Sequence, residues 1–312
     1  MRAILLALAL AWLVAPAALA RGRDSGELEV VVTTTQLANI THVIGGQRID
    51  VKGLLAPNVD PHTFEPRPST VEASTEAALF VTSGAGLDSW FAKVVHTSGS
   101  GAPVFDASTG LKLRAGDDEE PAGDPHWWHD PRNVMIVSQR LAGALTKIDP
   151  EGKAVYARNA RLYIARLRKL DAESARLINL IPRARRTLVT NHDAFGYFAA
   201  RYGLRVVGTV LGSLSSSARP NAKDTAALIS RIRREHVPAI FTESSVNPKL
   251  EQQIAKEAGV KVYANLYGDT LGPLDSPGGT YLKMEHWNAL VISYGLRGTP
   301  IPKDLLQTGP MP

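Results

Sequence analysis

From Leu28 onward, short β-branched runs alternate with amphipathic stretches. Leu28 to Thr34 reads as a strand, Gln36 to Ile44 as a helix stopped by Gly45-Gly46, and Ile49 to Leu55 as a second strand. A helix after Ser69 leads to a strand at Ala78 to Thr82, a helix at Asp88 to Val95 and a strand at Pro103 to Ala107. Strand and helix repeat, which predicts a parallel sheet covered on both faces. Arg114 to Pro125 is polar, acidic and interrupted by Gly and Pro, the pattern of a loop or disordered excursion.

A different period begins at Asp149-Pro150, an acceptor followed by a first-turn proline. Tyr156, Ala160, Tyr163, Leu167, Leu170, Ser174, Leu177 and Ile181 then recur at alternating spacings of four and three before Pro182. One helix of roughly 30 residues would be about 45 Å long, a span across a whole protein. Beyond it the alternation resumes, with strands at Thr187 to Thr190, Arg205 to Thr209, Ala239 to Glu243 and Lys261 to Asn265. Helices are expected near Phe195 to Arg201, Lys223 to Arg234, Lys249 to Ala258 and Thr280 to Tyr294. The pattern predicts an α/β protein of two lobes, each a mostly parallel sheet flanked by helices, joined by one long rigid helix. The expected boundaries are an N-terminal lobe at 21–148, the linking helix at 149–182 and a C-terminal lobe at 183–312. Ligands are expected outside the carboxyl ends of the strands, in the crevice between lobes.

Composition narrows the picture. Residues 1–20 place Arg2 before an apolar run from Ala3 to Val14 and end in Ala18-Leu19-Ala20, the layout of a cleavable secretory signal. The apolar run is too short for a membrane span, so a soluble periplasmic protein is expected. The chain has no cysteine, which excludes disulfides, thiolate metal sites, cysteine nucleophiles and a lipidated N-terminal cysteine together. The formal charge of +5 is concentrated between Arg158 and Arg185 without interleaved aromatics, so a solvated or membrane-facing surface is expected and a nucleic-acid partner is not.

The chemistry lies in the eight histidines. His62 falls in Asp60-Pro61-His62-Thr63-Phe64-Glu65-Pro66, His126 in Asp124-Pro125-His126-Trp127-Trp128-His129-Asp130-Pro131, and His192 in Asn191-His192-Asp193-Ala194-Phe195. Each sits after an expected strand or in a loop between elements, where a rigid scaffold presents functional side chains. A nearby Asp in each segment offers an acceptor that can orient the imidazole, as metal-bound histidines require. Asp269, just past the last expected strand, supplies a carboxylate. Three imidazoles with one carboxylate suit a borderline divalent ion such as zinc. The wide separations match no short zinc-finger pattern. His42, His96, His236 and His286 read as surface or helix residues, and Trp127, Trp128 and Trp287 as packing aromatics.

Five ordered segments carry a resemblance: DPHTFEPRPS at 60–69, DPHWWHDPRN at 124–133, TNHDAFGYFAARYGL at 190–204, IFTESSVNPKLEQQIAKEAGV at 240–260 and GGTYLKMEHWN at 278–288. Together they resemble the ABC-transporter solute-binding proteins for zinc and manganese, over about Glu29 to Leu296. The resemblance implies two lobes bridged by a long helix, and a monomer that delivers metal to the membrane permease of an ABC importer, with a periplasmic metallochaperone as a further possible partner. It implies His62, His126 and His192 as ligands and a fourth from the loop after a late strand, placed at Asp269 with Asp275 as the fallback. It gives Glu243 a supporting role near the site. Manganese-specific relatives commonly carry a carboxylate where this chain has His192, which points to zinc, with manganese as the alternative.

Two departures from that family stand out. Where zinc-uptake relatives often carry a long His-rich loop, this chain has the short acidic run Asp117, Asp118, Glu119 and Glu120, with His129 nearby. A mobile docking site formed by these carboxylates and His129 is one expectation, a merely solvated loop the other. The second departure is the lack of the cysteine pair that staples the second lobe in some relatives, so that lobe is expected to rely on packing. The rival class is an exported zinc hydrolase using Glu243 or Asp193 as general base; the missing HExxH or comparable compact motif and the full ligand set weigh against it. An adhesin would call for an anchor, which is not expected.

Overall fold

The computed structural model describes residues 27–302 and residue 305. The expected signal segment at 1–20 lies outside the described residues. The first lobe contains strands β1 (Leu28–Val32), β2 (Ile49–Gly53), β3 (Leu79–Thr82) and β4 (Val104–Asp106), with helices α1 (Thr35–Gly45), α2 (Pro68–Glu72) and α3 (Phe91–Ser98) between them. The strands form one sheet in the order β2-β1-β3-β4, parallel throughout. Val30, Val31 and Val32 are all fully buried, the continuous apolar run expected of a central strand covered on both faces.

Next comes α4 (Pro131–Ile148), a helix the reading of the sequence does not assign. Its start is well specified: the Asp130 carboxylate accepts the Arg132 N–H, and Pro131 occupies the first turn. Its buried face, Val134, Val137, Leu141 and Leu145, packs on α5 (Lys153–Asn179). The long helix is thus somewhat shorter than expected. Asp149-Pro150 opens a 3-10 turn, Pro150–Gly152, before the α-helix begins. Twenty-seven residues make about 40 Å at 1.5 Å per residue. The stripe Tyr156, Ala160, Tyr163, Leu167, Leu170, Ser174 and Leu177 is buried as its spacing predicts, facing α1 and α4 on one side and the last helix of the second lobe on the other.

The second lobe runs β5 (Thr187–Thr190), α6 (Gly196–Tyr202), β6 (Arg205–Thr209), α7 (Ala222–Arg234), β7 (Ala239–Glu243), α8 (Lys249–Ala258), β8 (Lys261–Leu266) and α9 (Tyr281–Arg297). β5 pairs with β6 and β7 with β8, both parallel, and β5 packs beside β7. A core of buried side chains runs through both lobes, from Val30 and Ile40 through Tyr163 to Phe241 and Ile292. Trp127, Trp128 and Trp287 belong to it. His42, His96 and His236 are exposed, and His286 is half-buried near Glu173. No helix among the described residues is long and apolar enough to cross a membrane.

The segment from Arg114 to Pro125 is not a disordered excursion but a bridge between lobes. The Arg114 N–H donates to the Tyr197 hydroxyl, which donates to the Asp124 carbonyl. The Asp117 carboxylate accepts from the Leu214 N–H at 2.7 Å and the Ser213 hydroxyl at 3.1 Å. Partial burial opposes its charge, but these bonds, with those from the Glu119 and Glu120 amides, hold its pKa below the ordinary carboxylate range.

Candidate metal centre

Four loops at the carboxyl ends of strands meet between the lobes. His62 follows β2, His126 follows β4, His192 follows β5 and Asp269 follows β8, the place where α/β sheets present ligand-binding groups. One ligand atom from each of these four residues lies within 4.8 Å of all the others. The Nε2 atom of His126 lies 3.3 Å from those of both His62 and His192. Asp269 oxygens approach His192 Nε2 at 3.0 Å, His126 Nε2 at 3.2 Å and His62 Nε2 at 3.7 Å. His126, His192 and Asp269 are buried almost completely, and the His62 side chain is 1% exposed. Asp275, the fallback for the fourth position, is exposed and outside this group.

What makes the cluster chemically directional is the other nitrogen of each ring. The Nδ1–H of His62 donates to Glu120 at 2.9 Å, that of His126 to Asp124 at 2.9 Å and that of His192 to Glu243 at 3.0 Å. A carboxylate can only accept, so each neutral imidazole carries its proton at Nδ1 and turns an Nε2 lone pair inward. Three lone pairs and a carboxylate then converge on one point. With the imidazole protons held at Nδ1, no donor among the described residues reaches either oxygen of Asp269. A single divalent ion would satisfy all four groups. Tetrahedral bonds of about 2.0–2.1 Å imply ligand-to-ligand edges of about 3.3 Å, which is the spacing of His126 Nε2 from the Nε2 atoms of His62 and His192.

Protons take the ion's part when the rings are charged. Burial opposes charging His126, but hydrogen bonds to Asp124 and Asp269 outweigh it and raise its pKa to about 9. Burial likewise opposes charging His192, and the charges of Asp269 and Glu243 raise it well above its ordinary value. The converse holds for Asp269: burial disfavours its charge, yet the neighbouring His192 charge and the hydrogen bonds from His126 and His192 hold it well below the usual carboxylate range.

Some supporting groups differ from those expected. Asp124 does orient its own loop's histidine, accepting from both the backbone N–H and the ring of His126. Asp60 does not orient the His62 ring; it accepts from the His62 backbone N–H and from the Ser216 hydroxyl across the cleft. Glu120 takes the ring, a residue the sequence places only in an acidic run. Asp193 leaves the His192 ring to Glu243 and lines a cavity of about 560 Å³ with Arg114, Asp117, Asp124 and Arg231; burial raises its pKa, and the charge of Asp124 adds to this. The expected mobile docking site is also corrected: Asp117 and Glu120 are committed to fixed partners. His129 is fully buried, its ring nitrogens bound to Glu285 and the Gly268 carbonyl.

A family model described as zinc-uptake complex component A, periplasmic, matches residues 30–295. The manganese ABC transporter substrate-binding lipoprotein PsaA of Streptococcus pneumoniae is 30% identical over 281 residues, spanning 88% of this chain and 90% of its own length. The iron ABC transporter substrate-binding lipoprotein MtsA of Streptococcus pyogenes serotype M1 is 30% identical over 280 residues, 87% of this chain and 90% of its own. Among solved structures, the periplasmic zinc binding protein TroA from Treponema pallidum is similar with a TM-score of 0.81 at 29% identity, covering 87% of this chain and 99% of that one.

Proposed function

Because the chain belongs to the zinc-uptake component A family of metal-binding, ABC-transporter substrate-binding proteins, we propose that it captures one zinc ion through His62, His126, His192 and Asp269 and passes it to the membrane permease of an importer. The family consists of transport proteins rather than enzymes, and the hydrolase reading is withdrawn with it. Glu243, one of its two candidate bases beside Asp193, is already engaged by the His192 ring. The reading is supported chiefly by the convergence of three Nε2 lone pairs on one buried carboxylate, each fixed from behind by an acidic partner. Such a centre has no use for surplus hydrogen-bond donors and a strong use for a cation.

Relatives are named for manganese and for iron as well as zinc, so the cargo is argued from the donors. Three nitrogens with one carboxylate suit zinc better than manganese, which favours oxygen-rich sites. We infer export to the periplasm through the signal at 1–20, and action there as a monomer. Metal analysis of protein purified without chelator, followed by competition between zinc and manganese, tests the cargo; retention of manganese against equimolar zinc would overturn it. Because zinc outcompetes manganese at most such sites, a deletion strain should also be rescued by zinc rather than manganese under starvation.

A further inference from the structure

Resting on the metal-site reading above, we propose that His129, bridged by Glu285, is a positioning residue of the centre, setting the placement of Asp269 relative to His126 and His192. The ring lies where three of the four ligand-bearing segments meet. It belongs to the His126 loop, and its backbone N–H donates to the His126 carbonyl at 3.2 Å. Phe195, three residues past His192, stacks on it with centroids 4.5 Å apart and planes 25° from parallel. Its Nε2–H donates at 3.0 Å to the carbonyl of Gly268, the residue before Asp269. That carbonyl also accepts the indole N–H of Trp128 at 3.0 Å. Trp128 in turn sets its ring edge to His126, with centroids 5.4 Å apart.

The second nitrogen completes the bridge. His129 Nδ1 lies 2.6 Å from Glu285 on α9, and Asn288, on the same helix, grips Tyr267 by both its N–H and its carbonyl. A carbonyl only accepts, so His129 Nε2 must carry a proton. One further proton is shared between Nδ1 and Glu285, and the pair is neutral as a unit whichever atom holds it. Both members are buried to 1% exposure or less, and such a pair is weak support for stability by itself. Its orientation gives it another use. The segment Tyr267-Gly268 is held from α9 and from the first lobe at once, and this fixes where the next carboxylate points.

The test is the double variant His129→Leu/Glu285→Leu, which removes both buried polar partners together and leaves neither stranded. Zinc and cobalt(II) affinity are measured by chelator competition, coordination by the visible absorption of the cobalt(II) form, and folding by thermal unfolding. We expect one ion per chain and cooperative unfolding, with affinity lowered about 10–100-fold, as for lost outer-sphere support, and an altered cobalt(II) spectrum. Parent-like affinity and spectrum in the folded variant overturn the inference. If the double variant fails to unfold cooperatively, Trp128→Phe decides, since it keeps a ring but drops one N–H to Gly268: a weaker, spectrally shifted centre supports the proposal and an unchanged one overturns it. A parent protein that binds neither ion would defeat the metal-site reading itself, a separate result.

Discussion

Each candidate ligand histidine has its Nδ1 against a carboxylate, so the single-residue predictions divide into two tiers. Replacing His62 or His192 by alanine removes a donor, and zinc affinity should fall more than about 100-fold, beyond the 10–100-fold typical of losing outer-sphere partners. Glu120→Gln and Glu243→Gln keep a hydrogen-bond acceptor but lose the charge, and should fall within that 10–100-fold range. Chelator competition measures both tiers, with thermal unfolding as the control for the fold; affinities equal to the parent's in the alanine variants would remove these residues from the ligand set. The three candidate histidines were legible because each sits in a short, distinctive segment with Asp or Asn alongside, and it is the family resemblance that joins them with Asp269 as a proposed ligand set. Their supports were legible only where they are local, as Asp124 is to His126. Glu120 and Glu285 meet their histidines across 58 and 156 residues of chain, and no short-range pattern announces such pairs.

At the scale of elements, the long helix shows how far periodicity carries. The four-three spacing of its buried stripe predicted both its existence and the face it buries. Its start is set by a side-chain arrangement that periodicity does not reveal. Asp149 accepts from the Gly152 N–H and the Tyr156 hydroxyl, and Arg48, from the turn after α1, donates to it at 2.6 Å and 2.9 Å. The Arg48 hydrogen bonds lower the Asp149 pKa to about 2, against some opposing burial. A folded-state pKa below the ordinary 3.8 contributes stability that is present above that value and lost as pH falls toward about 2. Asp149→Asn should therefore shift acid unfolding to higher pH, read by circular dichroism between pH 2 and 5; coincident curves for variant and parent would deny the ion pair a role. By contrast, α4 carries the same kind of signal as its neighbour, an Asp-Pro start and apolar positions at 134, 137, 141 and 145, and was readable from the sequence on those grounds.

Across the whole molecule, α5 is one tie between the lobes, and an ion held at the proposed centre would be a second. The helix joins them through packing, and the ion would do so through donors drawn from both sides of the cleft. An ion bound only by the folded form stabilises it by mass action, about 4 kcal/mol at a free concentration one thousand times Kd. The unfolding midpoint should rise by roughly 5–15 °C for a chain of this size, and a chelator should reverse the rise. The effect should also depend on pH with a defined sign. His126, with its pKa raised to about 9, steadies the metal-free fold below the ordinary 6.5 of a histidine. That contribution fades as pH rises through about 9. Zinc must displace those protons, so its affinity should increase over the same interval, with protons released on binding. The midpoint gap between zinc-loaded and chelated protein should consequently widen from pH 6.5 to 9. Thermal unfolding of both forms at pH 6.5, 7.5 and 8.5, with a buffer-dye measurement of proton release, checks this. A gap that stays flat, or zinc uptake without proton release, would mean that the ion and the protons do not compete for the same nitrogens.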